Sequence, residues 1–136
     1  RRVRFHEMEF AVPLADGPGI VRELQREIDD RGWLIPFPFE LRSTAADEVA
    51  LSSSTGRESM YIAIHVPKAM NPANYFPRFE EILRAAGGRP HWGKMHTMGR
   101  ADFSEIYPRF DEFCALREAM DPNWVFGSAH LRHLFG

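Results

Sequence analysis

Twice in this sequence a run of period two ends in proline and gives way at once to a capped run of helical period, and few folds accommodate that arrangement. "VRFHEMEFAVP" sets Val3, Phe5, Glu7 and Glu9 against Arg4, His6, Met8 and Phe10 before Pro13 closes it, an imperfect strand pattern. "LADGPGIVRELQREIDDRG" then supplies Asp16 as N-cap, Pro18 in the first turn, Val21, Leu24 and Ile28 at helical spacing, and Gly32 as the stop. The second unit has the same order. "SMYIAIHVP" is rich in β-formers and bounded by Pro67, and "NPANYFPRFEEILRAAGG" follows it. There Asn71 is the cap, Pro72 takes the first helical position, Phe76, Phe79, Ile82, Leu83 and Ala86 form the buried stripe, and Gly87 ends it.

Between the two units, "LIPFPFELRSTAA" cannot be helical, because Pro36 and Pro38 remove backbone donors and push the residues before them into extended geometry. It reads as a strand entered through proline, joined by the loop "LSSSTGRE" to an antiparallel neighbour over "SMYIAIHVP". Farther on, Asp102 and Glu105 have capping-box spacing. Phe110, Phe113, Cys114 and Arg117 then predict a short helix up to Asp121-Pro122, and "SAHLRHLFG" adds a terminal turn or two. Strands before helices, with hairpin-compatible connections, predict an α+β fold: a mostly antiparallel sheet covered by helices on one face, in one domain over residues 1–136.

Composition narrows the function classes. The 17 basic and 19 acidic side chains leave a formal charge of -2, so no cationic excess exists to condense on nucleic acid or an anionic membrane surface. A lone cysteine, Cys114, excludes an internal disulfide; it sits at an apolar helical position with no cation obviously placed to activate it, as a buried structural thiol does. No apolar run approaches the roughly 20 residues that span a bilayer. A reducing, cytoplasmic setting is expected. The chain begins inside a strand-like run with neither an initiator Met nor a signal-peptide core, and so reads as a fragment of a longer polypeptide.

Candidate chemistry lies in three stretches. In "PFELRST" the strand period puts Glu40 and Arg42 on one face and Phe37, Phe39 and Leu41 on the other, core-facing side. The polar pair is either a solvated ion pair or a carboxylate and guanidinium aimed together at a small ligand. In "YIAIHVP", His65 shares a face with Tyr61 and Ala63, so adjacency of the two strands would gather Glu40, Arg42 and His65. "RPHWGKMHTM" is a loop or short edge strand in which Gly93 lets the backbone approach something closely. Its plainer reading has Trp92 and Met95 filling a hole while His91, Lys94 and His96 face water. The histidine spacings, His91 with His96 and His130 with His133, make no recognisable metal-ligand set, and no metal is expected.

"EMEFAVP", "FELRST", "YIAIHV", "RPHWGK" and "YPRFDEFCALREAMDPNWVFGSAHLRHLFG" occur in this order. In that order and spacing the chain resembles the C-terminal part of FAD-dependent sugar-lactone and alditol oxidases, the gulonolactone, galactonolactone and arabinonolactone oxidoreductases of the vanillyl-alcohol-oxidase type. The resemblance implies that Glu40 and Arg42 are the substrate-site Glu-x-Arg pair, His65 the histidine on the neighbouring strand, and Lys94 the lysine near substrate and flavin. It implies too that His91, Trp92, Gly93 and Lys94 shape a loop beside the flavin ring. The expected partners are a sugar lactone or polyol and the FAD-binding domain of the same protein, which holds most of the FAD and is absent from these residues. Glu40 or His65 would take the hydroxyl proton, while Arg42 and Lys94 would stabilise developing negative charge. Pro67 stands where alditol oxidases carry threonine, which favours the lactone branch. The rival expectations are a stand-alone, non-catalytic α+β binding module and a structural dimerisation domain.

Overall fold

The computed structural model describes residues 3–136. Strand β1 (Phe5–Pro13) pairs antiparallel along its full length with β3 (Ser59–Pro67), in the register Phe5 to Pro67 and Pro13 to Ser59. β2 (Glu40–Thr44) adds to the far side of β3, and the two-residue β4 (Arg89–Pro90) to the far side of β1, giving an antiparallel sheet of order β2-β3-β1-β4. The expected adjacency of the "FELRST" and "YIAIHV" segments is therefore present, with a second neighbour on β3 that the sequence did not announce.

Period-two alternation sends Met8, Phe10 and Val12 of β1 and Ile62, Ile64 and Val66 of β3 to one face, all of them buried. Two helices cover that face. α1 (Gly17–Asp30) packs on β3 with Ile20 and Leu24; α2 (Phe76–Ala85) packs on β1 with Phe76, Phe79, Ile82 and Leu83. Each such side chain taken fully out of water contributes about 1.5–3 kcal/mol. Gly17 is where α1 meets the sheet most tightly, since a Cβ there would lie 2.5 Å from Met60 Sδ.

The helix ends depart from the sequence reading in detail. Asp16 is the N-cap residue of α1, but its side chain makes no capping hydrogen bond. Asn71 caps only a 3₁₀ turn, Pro72–Asn74, by accepting from Ala73 N, and α2 starts afresh at Phe76. Asp102 is the third residue of α3 (Arg100–Ile106) and not its cap: its carboxylate reaches back to Gly99 N at 2.8 Å. Gly87, at φ +68°, ends α2 in the left-handed region that disfavours other residues.

α3, α4 (Phe110–Met120) and α5 (Ala129–Phe135) extend the core with an aromatic cluster of Phe103, Tyr107, Phe110 and Phe135. Arg89 of β4 joins it to the sheet. With 8% exposure, Arg89 donates to the carbonyls of Ile106 (2.9 Å), Ser53 (3.4 Å) and Thr55 (2.7 Å), and its guanidinium lies over the Tyr107 ring. Those carbonyls also pin the 45–58 loop, which folds over the sheet through Thr44 Oγ1 to Ser54 Oγ (2.7 Å) and Ser54 Oγ to Tyr61 OH (3.2 Å). Cys114 is buried as expected, yet Arg100, 14 residues away on α3, comes within 3.7 Å of its Sγ, a basic neighbour that spacing alone did not reveal. Among the described residues no helix is long and apolar enough to cross a membrane.

Candidate active site

The sheet face opposite α1 and α2 carries the polar residues of three strands. Glu7 stands opposite His65; Glu9 and Glu40 flank Ala63; and Arg42 stands opposite Tyr61. Because Ala63 is small, the Arg42 side chain reaches over β3 to bond the Glu9 carboxylate, while its Nε stays 3.4 Å from Glu40 Oε1. Glu9 is only 2% exposed, so this is a largely desolvated carboxylate whose cation comes from two strands away.

Lys94 arrives from the opposite edge. His91 N donates to Glu9 O (2.9 Å) and Met95 N to Glu7 O (3.0 Å), which straps the "HWGK" turn along β1 beyond the end of β4. Lys94 N closes the turn on His91 O at 3.1 Å, and the Lys94 ammonium bonds Glu7 Oε2. The other Glu7 oxygen lies 3.3 Å from His65 Nε2. Glu40, Arg42, His65 and Lys94 are thus gathered on one face, linked through two acids of β1 that the sequence reading had not assigned to the site.

Two open depressions lie on this face. One of about 400 Å³ is lined by Glu40 and His65 with Phe5, Phe37, Pro38 and Phe39; one of about 280 Å³ is lined by Glu9, Arg42, Thr44, Tyr61 and His91. Phe37 corrects an expectation: it packs edge-on against Phe5 (6.0 Å) and His65 (6.3 Å), on the site side and not in the core. The strand starts only at Glu40, because Pro36 and Pro38 interrupt pairing, so the alternation does not extend back to Phe37. Leu41 also fails to enter the core, at 47% exposure, because β2 is the sheet edge and no helix overlies it fully.

Within the "HWGK" turn the residues divide. His91 accepts from Gly93 N through Nδ1 (3.1 Å) and lines the polar depression. Trp92 is turned into the C-terminal cluster, stacked on Phe103 (4.6 Å) and Phe135 (5.6 Å) with Nε1 donating to Leu51 O (2.9 Å), so it anchors the turn that presents Lys94. Gly93 is exposed, and a Cβ there would meet only the His91 ring, at 3.6 Å. Nothing within the chain requires glycine there. Met95 is 42% exposed and His96 half-buried, the reverse of the plainer expectation for these two. Among the described residues no group of three or more His, Cys, Asp or Glu side chains is placed to hold a metal ion.

Burial by itself would raise the Glu7 carboxyl, but the Lys94 ammonium and His65 outweigh it and hold the group below its ordinary value of 4.5. A depressed carboxyl stabilises the fold above its unfolded pKa, and that contribution is lost as pH falls through the folded value. Urea unfolding at about pH 7 and about pH 3 is therefore expected to show a smaller stability difference for Glu7→Gln than for the wild type.

The α+β domain thus presents an open sheet face that pairs carboxylates with cations beside an aromatic-walled hollow. The model of the D-arabinono-1,4-lactone oxidase family matches residues 1–134, and the chain belongs to that family. It is 44% identical to an L-gulono-1,4-lactone dehydrogenase of Mycobacterium tuberculosis over 100% of this chain and 32% of that protein. An L-gulonolactone oxidase of Bos taurus is 34% identical over 98% of this chain and 32% of its own length. A Streptomyces alditol oxidase is 38% identical over 70% of this chain and 23% of its own. The chain spans about a third of the length of the lactone-acting relatives.

Proposed function

We propose that this chain is the C-terminal, substrate-binding part of an FAD-dependent oxidoreductase that oxidises an alcohol group of a sugar lactone, with polyols as the alternative substrates. The observation that carries the reading is the gathering of Glu40, Arg42, His65 and Lys94 on one sheet face, where scattered side chains would have favoured a binding module. The Glu9–Arg42 and Glu7–Lys94 pairs hold donors and acceptors in fixed positions for neighbouring hydroxyls of a sugar ring. Arg42 and Lys94 meet the substrate already neutralised, which suits an uncharged lactone.

The residues fit a flavin as one wall of its site. An exposed glycine with no packing reason of its own, next to Lys94 and His91, permits close approach of a flat group from outside the chain. The phosphate-cradling half belongs to the remainder of the protein, and the exposed apolar side chains Leu116, Met120, Val125 and Phe126 suit a surface covered by that remainder. When bound, flavin supplies the acceptor for the hydride leaving the carbinol carbon. His65 or Glu40, which share the aromatic depression, takes the hydroxyl proton, while Arg42 and Lys94 orient the oxygen it leaves. The free, buried Cys114 suits a cytoplasmic setting.

The test is an assay of the full-length protein on a panel of aldonolactones and alditols, comparing oxygen with artificial electron acceptors. Turnover of a lactone is expected. A flavin-loaded protein that reduces its flavin with none of them would refute the reading. The 136-residue chain alone is expected to purify without flavin absorbance and without turnover.

A further inference from the structure

Among the described residues, Glu7 is the one side chain that pairs with two of the four gathered residues. It lies on β1, between the His65 strand and the turn that carries Lys94, and it presents one oxygen to each. The three groups are all partly buried, with side-chain exposures of 17% for Glu7, 14% for His65 and 28% for Lys94, so their geometry is protein-set and not free in solvent. Phe5 holds the imidazole from one side, edge-on at 4.8 Å, and Phe37 at 6.3 Å limits its swing. An ionised carboxylate can only accept, so the imidazole nitrogen facing it carries the proton. The remaining nitrogen, Nδ1, then holds a lone pair on a ring that lines the aromatic depression.

We propose that Glu7 is a positioning residue of this site: it fixes His65 as the Nε2–H tautomer, leaving Nδ1 to accept the substrate hydroxyl proton, and tethers Lys94 with its second oxygen. The inference rests on the functional reading above and selects His65 over Glu40 as the proton acceptor. In that step the substrate O–H bond breaks and an Nδ1–H bond forms. The imidazolium that results faces the Glu7 carboxylate, which stabilises it without taking its proton. The 3.3 Å contact between Nε2 and Glu7 is an ion-pair contact without full hydrogen-bond alignment, and in structures without substrate such catalytic contacts are often looser than in the working complex.

Two readouts on the full-length flavoprotein test this. With 15N-labelled histidine, and the His65 signal identified by its loss in His65→Asn, NMR is expected to show Nε2 protonated and Nδ1 unprotonated in the wild type. In Glu7→Gln, whose amide can donate as well as accept, the two tautomers are expected to mix, and kcat to fall about 100-fold while KM changes less than about 3-fold. In Lys94→Met the tautomer is expected to stay as in the wild type, because Glu7 still faces Nε2. A wild-type His65 protonated on Nδ1 overturns the proposal without any variant. So does a Glu7→Gln protein that keeps the single tautomer, or one whose loss is confined to KM. Should no lactone or polyol be turned over, the functional reading fails, and the tautomer measurements still decide the part assigned to Glu7.

Discussion

Arg42→Met in the full-length protein is expected to lower kcat/KM by about 100- to 1,000-fold, the loss that follows removal of one preorganised donor from a developing charge. The same substitution should also weaken the fold. Glu9 is 2% exposed and bonded to Arg42, so removing the cation leaves a desolvated carboxylate uncompensated. A fully buried pair broken in this way costs about 3–5 kcal/mol; Arg42 is 52% exposed, water reaches the pair, and about 2 kcal/mol is the discounted expectation. Urea unfolding measures it. The two effects come apart in the double variant Glu9→Met with Arg42→Met, where apolar groups replace both charges: stability should return toward the wild type while turnover does not. Arg42→Lys should recover only part of the activity, because a single ammonium cannot face Glu9 and Glu40 as the guanidinium does. Steady-state kinetics within about 3-fold of wild type for Arg42→Met would remove Arg42 from the substrate site.

The largest effect on folding is expected at Arg89→Met, at about 3–5 kcal/mol of destabilisation and about 10–17 °C in Tm for a chain of this size. No carboxylate pairs with Arg89 among the described residues. Its energetic role is to satisfy three carbonyls, at Ile106, Ser53 and Thr55, from a position where water cannot replace it, and to lie across Tyr107. Methionine fills much of the volume and satisfies none of the three. Arg22→Met, on the exposed side of α1, is the matched control and should stay within about 0.5 kcal/mol of wild type. Because the same carbonyls pin the 45–58 loop over Tyr61, Arg89→Met should also raise proteolytic nicking in that loop. A melting curve matching that of the control would show that the loop and the C-terminal cluster are held by other contacts.

The strands, the two sheet-covering helices and the face shared by Glu40, Arg42 and His65 were legible in the sequence, because period and proline placement are local signals. Errors gathered at the edges of elements. Asn71 and Pro72 form a good helix start, but Tyr75 and Pro77 impose a break, and the cap serves a single 3₁₀ turn. Phe37 was misassigned because alternation was extended through two prolines that prevent strand pairing.

Taken alone, the sequence determined which residues each strand shows on which side, since that follows from a backbone with a repeat of two. It also determined that Glu40 and Arg42 project together from β2, and left "RPHWGKMHTM" as a loop or short edge strand, which the structure resolves into β4 followed by a turn. Only the tertiary structure decided that β1 lies between β3 and that turn, which puts Glu7 against Lys94 and His65, and Glu9 under Arg42. The reason is physical. Alternation places Glu7 and Glu9 on a face, but which strand pairs alongside is set by long-range burial of Met8, Phe10, Ile62 and Ile64 against α1 and α2, and no local pattern in the sequence encodes that choice.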